Sequence, residues 1–435
     1  MDAINVGILG FGTVGTGTVQ ILLQNKDLIL QRLGVPVRLA RVADRDMGRK
    51  NSCPLPEGVF TTRVEDVLDD PSIQIVVELI GGLEPALSFI RQAISRGKHV
   101  VTANKALLAH AGAQLFNEAA VRDIEIGFEA SVGGGIPIIR ALKEGFTANQ
   151  IQSIYSIING TGNYILSRMT NEGRKFDDVL KEAQEKGYAE KDPTLDVEGI
   201  DSAHKIAILA SLAFGVTVPL ESVYTEGIRQ IDPLDIQFAR EFGFKIKLLA
   251  IAKNHGSEIE VRVHPTMLPA DSPIAKVDGV FNAIQIVGDY VGENMFIGRG
   301  AGALPTGSAV VGDIIDISRS LLKQACGRVF PLSTLPRYVQ AARIKAMESI
   351  TSEFYLRFSA LDKPGVMAKI SGVLGEHGIS IASVIQKGRH EERAVPVVFV
   401  THSACERDVQ DALAEIDRLD VVTEKTMLIR LESSV

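Results

Sequence analysis

The 435-residue chain has no tryptophan, few aromatic residues of any kind (6%) and only three cysteines, at positions 53, 326 and 405. Three scattered thiols are too few for a disulfide framework or a thiolate zinc site. No apolar run approaches the length of a bilayer span. The first residues, MDAINVGILG, lack the basic start of a signal peptide. These absences predict a reduced, cytoplasmic protein with no membrane partner.

Basic residues are not in excess either. Lys and Arg number 46 against 53 Asp and Glu, so the formal charge is −7. This balance argues against a nucleic-acid partner, which requires a basic face. Hydrophobic residues make up 46% of the chain and charged residues 23%, which is typical of a globular protein with a full core. At roughly 150 residues per domain, the length predicts about three domains.

The N-terminal region has the pattern of a nucleotide-binding fold. An apolar run at 4–9 precedes a glycine-rich turn, an amphipathic segment over 16–33 and a second apolar run at 37–42. Strand, glycine turn, helix and strand follow one another in this order in a dinucleotide-binding unit. Glycines let the pyrophosphate approach the backbone amides, and the helix N-terminus adds partial positive charge. The turn comprises Gly10, Phe11, Gly12, Thr13, Val14 and Gly15.

Two residues after the second strand bear on the choice of cofactor. Asp44 would hydrogen-bond a ribose 2′-hydroxyl and favour NAD. Arg45, next to it, would accept a 2′-phosphate and favour NADP. The sequence leaves both cofactors open.

The alternation of strands and helices continues beyond this unit. Further strands are predicted at 73–79, 99–102 and 125–128. Gly81 and Lys105 follow the first two, at the strand ends where open parallel sheets bind ligands. Lys105 is therefore a candidate cofactor or substrate contact, although a solvated lysine at a helix start fits the pattern equally well.

A glycine cluster at 133–135 lies close to Glu129. Backbone carbonyl groups around an acid can hold a hard cation, since such ions prefer oxygen ligands. The same composition is also typical of a crossover between domains, and composition alone favours the crossover.

The segment 187–201 is strongly charged and leads into an almost wholly apolar helix predicted over 202–214. Asp201 and Lys205 are four residues apart, which places them on one helix face. A lysine in such a helix is partly desolvated, and its lowered pKa suits proton transfer near neutrality. The alternatives are an N-cap for Asp201 and an exposed ion pair for Lys205. We favour a functional role for Lys205 first, then for Asp201 and Glu190.

The rest of the chain predicts a return to the first domain and a separate third domain. The glycine run 298–302 predicts a loop able to close over a nicotinamide, and 307–322 a helix that returns to the first domain. A connecting segment at 331–352 includes a charged helical stretch. The pattern βαββαβ then follows over 354–431, which indicates a ferredoxin-like unit. A small-molecule sensor or an assembly module is its expected role, and a purely structural domain is the alternative.

Four motifs, GILGFGTVGTG, TANKALL, IINGTGNYIL and GYAEKDPTLDVEGIDSAHK, resemble those of monofunctional homoserine dehydrogenases with a C-terminal ACT domain. The resemblance covers essentially the whole chain, and the last motif is the most specific. It implies reversible NAD(P)-dependent oxidation of L-homoserine to L-aspartate 4-semialdehyde, on the route to threonine, methionine and isoleucine. It also implies an α/β and α+β multidomain fold with a Rossmann domain, a central α+β domain and a ferredoxin-like ACT domain.

The resemblance also implies roles for individual residues. Lys205 resembles the proton donor and acceptor, and Lys105 the lysine beside cofactor and substrate. The expected substrate ligands are Glu190, Asp201 and, as a weaker candidate, Asp196. Cofactor contacts are expected from the glycine turn, Gly187 and Gly302. The group that resembles the family's sodium site consists of Glu129, Val132, Gly134 and Ile136.

The implied domains are 1–128 for NAD(P) binding, completed by about 303–330, then 129–302 for catalysis and dimerisation, a linker at 331–352 and an ACT domain at 353–435. ACT domains commonly pair and bind amino acids, so we expect a homodimer or homotetramer with threonine as the effector. Two other interpretations are another ACT-bearing dehydrogenase, of the 3-phosphoglycerate or prephenate type, and a non-enzymatic amino-acid sensor.

Overall fold

A computed structural model describes residues 1–387 and 394–433 of the chain, so the third predicted domain includes the two short stretches outside these ranges. The N-terminal part contains six strands: β1 (Ile4–Leu9), β2 (Val37–Ala43), β3 (Phe60–Thr61), β4 (Ile75–Glu78), β5 (His99–Thr102) and β6 (Ile126–Gly127). Its helices are α1 (Thr13–Gln24), α2 (Lys26–Leu33), α3 (Glu65–Leu68), α4 (Ala86–Ser95) and α5 (Lys105–Ala120).

These strands form one parallel sheet in the order β3-β2-β1-β4-β5-β6. The order reverses between β1 and β4, where an open parallel sheet forms its ligand crevice. The single helix predicted over 16–33 is instead two helices, α1 and α2, separated at Asn25 with φ −101° and ψ 19°. The Asn25 side chain makes no capping hydrogen bond, but its backbone N–H still donates to Ile21 and its carbonyl oxygen accepts from Ile29, so the two helices follow each other directly.

The middle region combines helices with a second sheet. Its helices are α6 (Ile138–Arg140), α7 (Gly160–Glu172), α8 (Phe176–Glu185), α9 (Thr194–Val197), α10 (Ile200–Phe214) and α11 (Pro233–Glu241). Its strands are β7 (Ile151–Ile157), β8 (Val216–Thr217), β9 (Tyr224–Thr225), β10 (Phe244–Asn254), β11 (Ile259–Pro269), β12 (Phe281–Gly288) and β13 (Gly292–Arg299). The order β13-β12-β7-β10-β11 is antiparallel throughout, and α10 packs against β10 and β11.

A long helix, α12 (Ala303–Lys323), leads back to the N-terminal region and packs against α1. The two helices approach closely because each has a glycine at the crossing. A Cβ atom on Gly17 would lie 2.1 Å from the carbonyl oxygen of Ala303, and one on Gly307 would lie 2.8 Å from the backbone of Gly17. The glycine turn and the end of the middle region are therefore neighbours.

The last region has the predicted βαββαβ order. Its elements are β15 (Thr351–Leu361), α13 (Val366–Glu376), β16 (Ile381–Gln386), β17 (Ala394–Thr401), β18 (Ala404–Cys405), α14 (Glu406–Ile416) and β19 (Met427–Leu431). The apolar faces of its sheet and two helices enclose a core of their own. Among the residues described, no helix is long and apolar enough to cross a membrane.

This region continues the sheet of the middle region. Strand β19 pairs in parallel with β11, through Thr266 with Arg430 and Met267 with Leu431. The joined sheet therefore has the path β13-β12-β7-β10-β11-β19-β15-β17-β16. Sequence periodicity does not predict this junction, because it reports which face of a strand is buried and not which strand lies beside it.

The charged helical stretch predicted within 331–352 is wrong. In its place the chain has short turns and the strand β14 (Gln340–Ala341), which pairs with β8. Backbone hydrogen bonds of 2.9 Å then join Ile259 with Arg343 and Lys345 with Ile259. The segment lies extended along the middle region, which satisfies its backbone groups and overrides local helix propensity.

Candidate active site

The glycine turn after β1 permits close approach to the backbone. Gly10 has φ +99°, and a Cβ there would lie 2.6 Å from the carbonyl oxygen of Leu79. A Cβ on Gly15 would lie 2.3 Å from the carbonyl oxygen of Gly10. Helix α1 begins at Thr13 with no side chain capping its first amides. The turn thus fits a pyrophosphate, which those amides would bind.

Asp44, at the end of β2, is held by this turn. Its carboxylate accepts hydrogen bonds from the backbone N–H of Phe11 at 2.7 Å and from the Arg49 guanidinium at 3.0 Å. Although burial opposes ionisation, the N–H groups of Asp46 and Phe11, together with Arg49, lower the pKa of Asp44. Arg45 is exposed. The arginine paired with Asp44 is Arg49, which the sequence interpretation missed. The helical turn Met47–Asn51 brings Arg49 back toward the end of β2.

The ends of β4 and β5 position Lys105. Buried Glu78 accepts hydrogen bonds from the Gly81 backbone at 3.1 Å and from the Thr102 hydroxyl at 2.7 Å, so it ties the two strand ends together. Asn104 caps α5 and also donates to the loop after β4. Lys105 is the first residue of α5, at the carboxyl edge of the sheet as predicted from its position after a strand.

A lysine–aspartate–lysine cluster lies where this edge meets α10. The helix begins after Gly199, whose φ is +80°, so the alternative of Asp201 as N-cap is wrong. The Lys205 ammonium donates to Asp201 Oδ2 at 2.6 Å and to the carbonyl oxygen of Ile158 at 2.7 Å. Lys105 Nζ lies 2.9 Å from Asp201 Oδ1. Lys205 is 8% exposed, so its ion pair is not on a solvated face.

Burial and neighbouring charges shift the pKa of all three groups. Burial, and then the positive charge of Lys105, lowers the pKa of Lys205, although Asp201 acts in the opposite direction. Burial alone would raise the pKa of Asp201, but the two lysines hold it well below its usual range. Burial alone would lower the pKa of Lys105, but the charges of Asp201, Asp196 and Glu190 raise it. The lysines therefore differ: Lys205 loses its proton more readily.

Asn159 brings two of the predicted carboxylates together. Its side-chain amide donates to Asp196 at 2.7 Å and to Asp201 at 2.9 Å, while its oxygen accepts from the Gly162 backbone at 2.7 Å. It is 6% exposed and caps α7. The sequence interpretation quoted this residue within a motif but gave it no role. An asparagine before a glycine-rich helix start is a capping signal, and nothing local indicates its two acidic partners.

Other predicted residues are less closely joined to the cluster. Glu190 is exposed, in a loop whose Glu190 and Lys191 carbonyl oxygens accept from the Gln184 amide at 3.1 and 3.3 Å. Its effect on the pKa of Lys105 puts it within electrostatic range of the site. Gly187 is exposed with φ +72°, and Gly302, with φ +125°, is the N-cap of α12.

The Glu129 carboxylate is already hydrogen-bonded within the protein. It accepts hydrogen bonds of 2.8 Å from the backbone N–H groups of Ile139 and Arg140, so it caps α6. Burial, and then the charge of Glu129, raises the pKa of neighbouring Asp313 to about 7. Within residues 1–387 and 394–433, no cluster of three or more His, Cys, Asp or Glu side chains could hold a metal. A cation here would depend on backbone carbonyl oxygens.

A glycine turn on a parallel sheet, with a buried lysine joined through Asp201 to the carboxyl edge of that sheet, is typical of a nicotinamide-dependent oxidoreductase. Three family models match the chain and agree with this class. The model for the homoserine dehydrogenase NAD-binding domain matches residues 10–129, that for homoserine dehydrogenase matches 137–315, and the ACT domain model matches 354–421. The chain belongs to the homoserine dehydrogenase family, and it is an NAD(P)-dependent oxidoreductase with a C-terminal ACT domain.

Two relatives match over almost the full length of this chain, and a third matches over about three quarters of it. The homoserine dehydrogenase of Neisseria gonorrhoeae is 45% identical over 433 residues, which are 100% of this chain and 99% of that protein. A homoserine dehydrogenase structure from Thiobacillus denitrificans has 47% identity and a TM-score of 0.94, with 99% and 98% of the two chains covered. A hyperthermophilic archaeal homoserine dehydrogenase in complex with NADPH has 28% identity and a TM-score of 0.62, with 74% and 98% covered. The 3-phosphoglycerate, prephenate and non-enzymatic alternatives are not favoured.

Proposed function

We propose that Lys205 exchanges the proton when this enzyme interconverts L-homoserine and L-aspartate 4-semialdehyde. Oxidation of the alcohol removes a hydride from carbon and a proton from oxygen. The nicotinamide cofactor, when bound, supplies the hydride acceptor. A neutral Lys205 amine takes the hydroxyl proton, and its ammonium form returns a proton to the carbonyl oxygen in the reverse reaction.

One observation carries this proposal. A lysine ammonium has three hydrogen-bond donors. Two donors of Lys205 are used by Asp201 and by Ile158, and in the described part of the chain the third has no protein acceptor. A substrate oxygen is the group that this donor would bind, and the lowered pKa makes exchange of its proton feasible near neutral pH.

We assign the amino group of the substrate to the acidic side of the cluster. Asp196, Asp201 and Glu190 supply negative charge there, of which only Asp201 is neutralised by direct contact with two lysines. Carboxylates that bind an ammonium group discriminate against analogues that lack it, because such an analogue leaves their charge without a partner. Asn159 keeps Asp196 and Asp201 in place for this contact.

We assign the cofactor to the crevice between the glycine turn and Lys105. The amides of the turn, Thr13 and Val14 among them, would hold the pyrophosphate, while Gly81, Gly187 and Gly302 supply backbone contacts. The Phe11 N–H is engaged by Asp44, so its contribution is to position that acid. Both NADP and NAD fit this arrangement.

The assay is reduced-cofactor absorbance with the purified full-length chain. We expect loss of the NADPH band on addition of L-aspartate 4-semialdehyde, and its appearance with L-homoserine and NADP. Prephenate and 3-phosphoglycerate serve as control substrates and should give no change. No substrate-dependent change in either direction would contradict the assignment.

We propose that a sodium ion binds backbone carbonyl oxygens of Glu129, Val132, Gly134 and Ile136. The positive φ angles of Gly133 and Gly134, +72° and +55°, make a tight turn that groups several carbonyls. Activity in sodium chloride, potassium chloride and choline chloride at equal ionic strength tests it. Equal rates in all three salts would remove the cation from the proposal.

We propose domains at 1–128 with 303–330, 129–302 and 353–435, in a homodimer or homotetramer regulated by threonine. The helix start at Gly365, with φ +86°, offers backbone amides to the effector's carboxylate. Deleting the last domain is a poor test because β19 is part of the middle sheet. Light scattering tests the assembly, and titration of the intact enzyme with threonine, methionine, isoleucine and lysine tests the effector. Insensitivity to threonine would show that the named effector is wrong.

A further inference from the structure

Asn282, on β12, has a buried side-chain amide with no partner. It is 1% exposed, and neither its amide nitrogen nor its oxygen has a hydrogen-bond partner among the residues described. Buried polar groups are nearly always paired, and one left unpaired bears the cost of its lost hydration. An amide kept in this condition calls for a functional explanation.

The amide lies between two loops of the active site. Ala283, the next residue, pairs with Ile157, so Asn282 is beside the strand end that presents the Ile158 carbonyl to Lys205. On one side, a Cβ on Gly160 would lie 3.7 Å from Asn282 Oδ1. Gly160 begins α7, directly after Asn159. Asn282 is thus adjacent to the groups that hold the catalytic lysine.

On the other side, the loop that follows β13 covers the amide. A Cβ on Gly300 would lie 2.0 Å from Asn282 Nδ2 and 2.5 Å from its Oδ1, so any side chain here would have to displace the amide. Two residues later Gly302 is the N-cap of α12, which packs against α1, the helix that follows the nucleotide turn. Because this loop covers the amide, a ligand reaches Asn282 only when the loop moves aside.

We propose that Asn282 binds the carboxamide of the nicotinamide ring. Its unpaired amide requires a partner that both donates and accepts hydrogen bonds. A carboxylate only accepts and an ammonium only donates, so neither charged group of homoserine satisfies it. The homoserine hydroxyl can do both, but the proposed function places it at Lys205. A carboxamide does both, and it is the polar substituent of the ring that must lie beside the substrate. This inference rests on the proposed function and adds a ring-orienting residue to it.

The test compares two cofactors in two proteins by equilibrium binding. The 3-acetylpyridine analogue of NADP carries a methyl group where the carboxamide has its amino group. We expect the analogue to bind wild type about tenfold more weakly than NADP, and Asn282→Leu to weaken NADP by a similar factor. In Asn282→Leu the two cofactors should bind equally, because the lost contact is the same one.

Gln285 supplies the matched control. It is on the same strand, 4% exposed, with an unpartnered Oε1, but three residues away and therefore on the opposite face. Asn282→Leu removes a buried amide with no partner and Gln285→Leu removes a buried carbonyl oxygen with no partner, so each ligand-free protein should melt at or above the wild-type temperature. Only Asn282→Leu should lose cofactor affinity. If Asn282→Leu is insoluble, the isosteric Asn282→Asp, which loses the hydrogen-bond donor, replaces it in the comparison of the two cofactors.

Two results would overturn the inference. One is that wild type and Asn282→Leu prefer NADP over the analogue by the same factor. The effects of the cofactor change and of the substitution would then be additive, so Asn282 would not contact the carboxamide. The other is unchanged NADP affinity in both Asn282 variants. A wild type that binds NADP but does not oxidise homoserine would instead contradict the proposed function. The binding measurements with the two cofactors would still test the contact with Asn282.

Discussion

Two groups of buried charges flank the middle region, and they are built from different cations. At the start of α10, two lysines share Asp201. Where β11 meets β19, the cations are two arginines, Arg262 and Arg430, each 1% exposed. Arg262 pairs with Glu432 at 2.6 Å. Arg430 pairs with Glu406 at 2.6 Å and with Glu226 at 2.8 Å, and lies over the ring of Tyr224.

The difference lies in how many acids each cation has. Burial alone would lower the pKa of Arg430, but its bonds to Glu406 raise it, so the guanidinium keeps its charge at any ordinary pH. Lys205 shares one carboxylate with another lysine, and its pKa is lowered. A fully paired arginine joins two parts of the fold, whereas an under-paired lysine can exchange a proton. Burial of charge alone does not distinguish these functions.

Lys205→Met should give the largest effect on turnover. A general acid–base group contributes about 10²- to 10⁴-fold to rate, so kcat should fall within that range. Cofactor affinity, measured by fluorescence quenching, should remain because the lysine acts on the proton and not on the pyrophosphate. Wild-type kcat in this variant would show that Lys205 does not exchange the proton.

Arg430→Met should give the opposite result, a loss of stability. Removing one partner of a buried ion pair costs about 3–5 kcal/mol because it leaves Glu406 and Glu226 unpaired. The midpoint of chemical denaturation should fall, while kcat stays nearly unchanged at temperatures where the variant is folded. Exposed Arg407, which pairs with Glu348 at 2.9 Å, is the control, and Arg407→Met should change little. A large loss of kcat in the folded Arg430 variant would contradict a purely structural role.

Lys105→Met should move the pH dependence of the reaction. Homoserine oxidation needs neutral Lys205, so kcat falls as pH drops below the pKa of that lysine. Lys105 lowers this pKa, so removing its charge should raise the pKa and shift the acid limb to higher pH. Lys105→Arg keeps the charge and should leave the limb close to its wild-type position. An unchanged acid limb in Lys105→Met would mean that burial of Lys205, and not its neighbour, governs the titration.

The smallest expected effect concerns cofactor preference. Arg49 pairs with Asp44, and its guanidinium lies 3.5 Å from the position of a Cβ on Gly12, at the nucleotide turn. Arg49→Ala should therefore raise the KM for NADP severalfold more than that for NAD, because an arginine there can reach a 2′-phosphate. Arg45→Ala is the matched control, and a larger effect from it would restore the interpretation based on sequence.

Local geometry explains what the sequence alone determined. The turn from Gly10 to Gly15 is predictable because only glycine tolerates the close contacts at its two ends. Asp201 and Lys205 are predictable as a pair because helix periodicity places residues four apart on one face. The βαββαβ order follows from alternating apolar periods over about 80 residues. Each of these three features depends on residues close together along the chain, so the motifs and the family resemblance can be recognised without coordinates.

Tertiary structure decided the rest, because contacts between distant segments leave no local pattern. Asn159 reaches Asp196 and Asp201 across about 40 residues, and Lys105 meets Asp201 from another domain. The 331–352 segment is extended because its hydrogen-bond partners are strands far away in sequence. Strand β19 joins β11 through pairing that no strand pattern specifies. The residue types that do the chemistry are visible in the sequence, but their pKa values depend on which charges the fold places beside them.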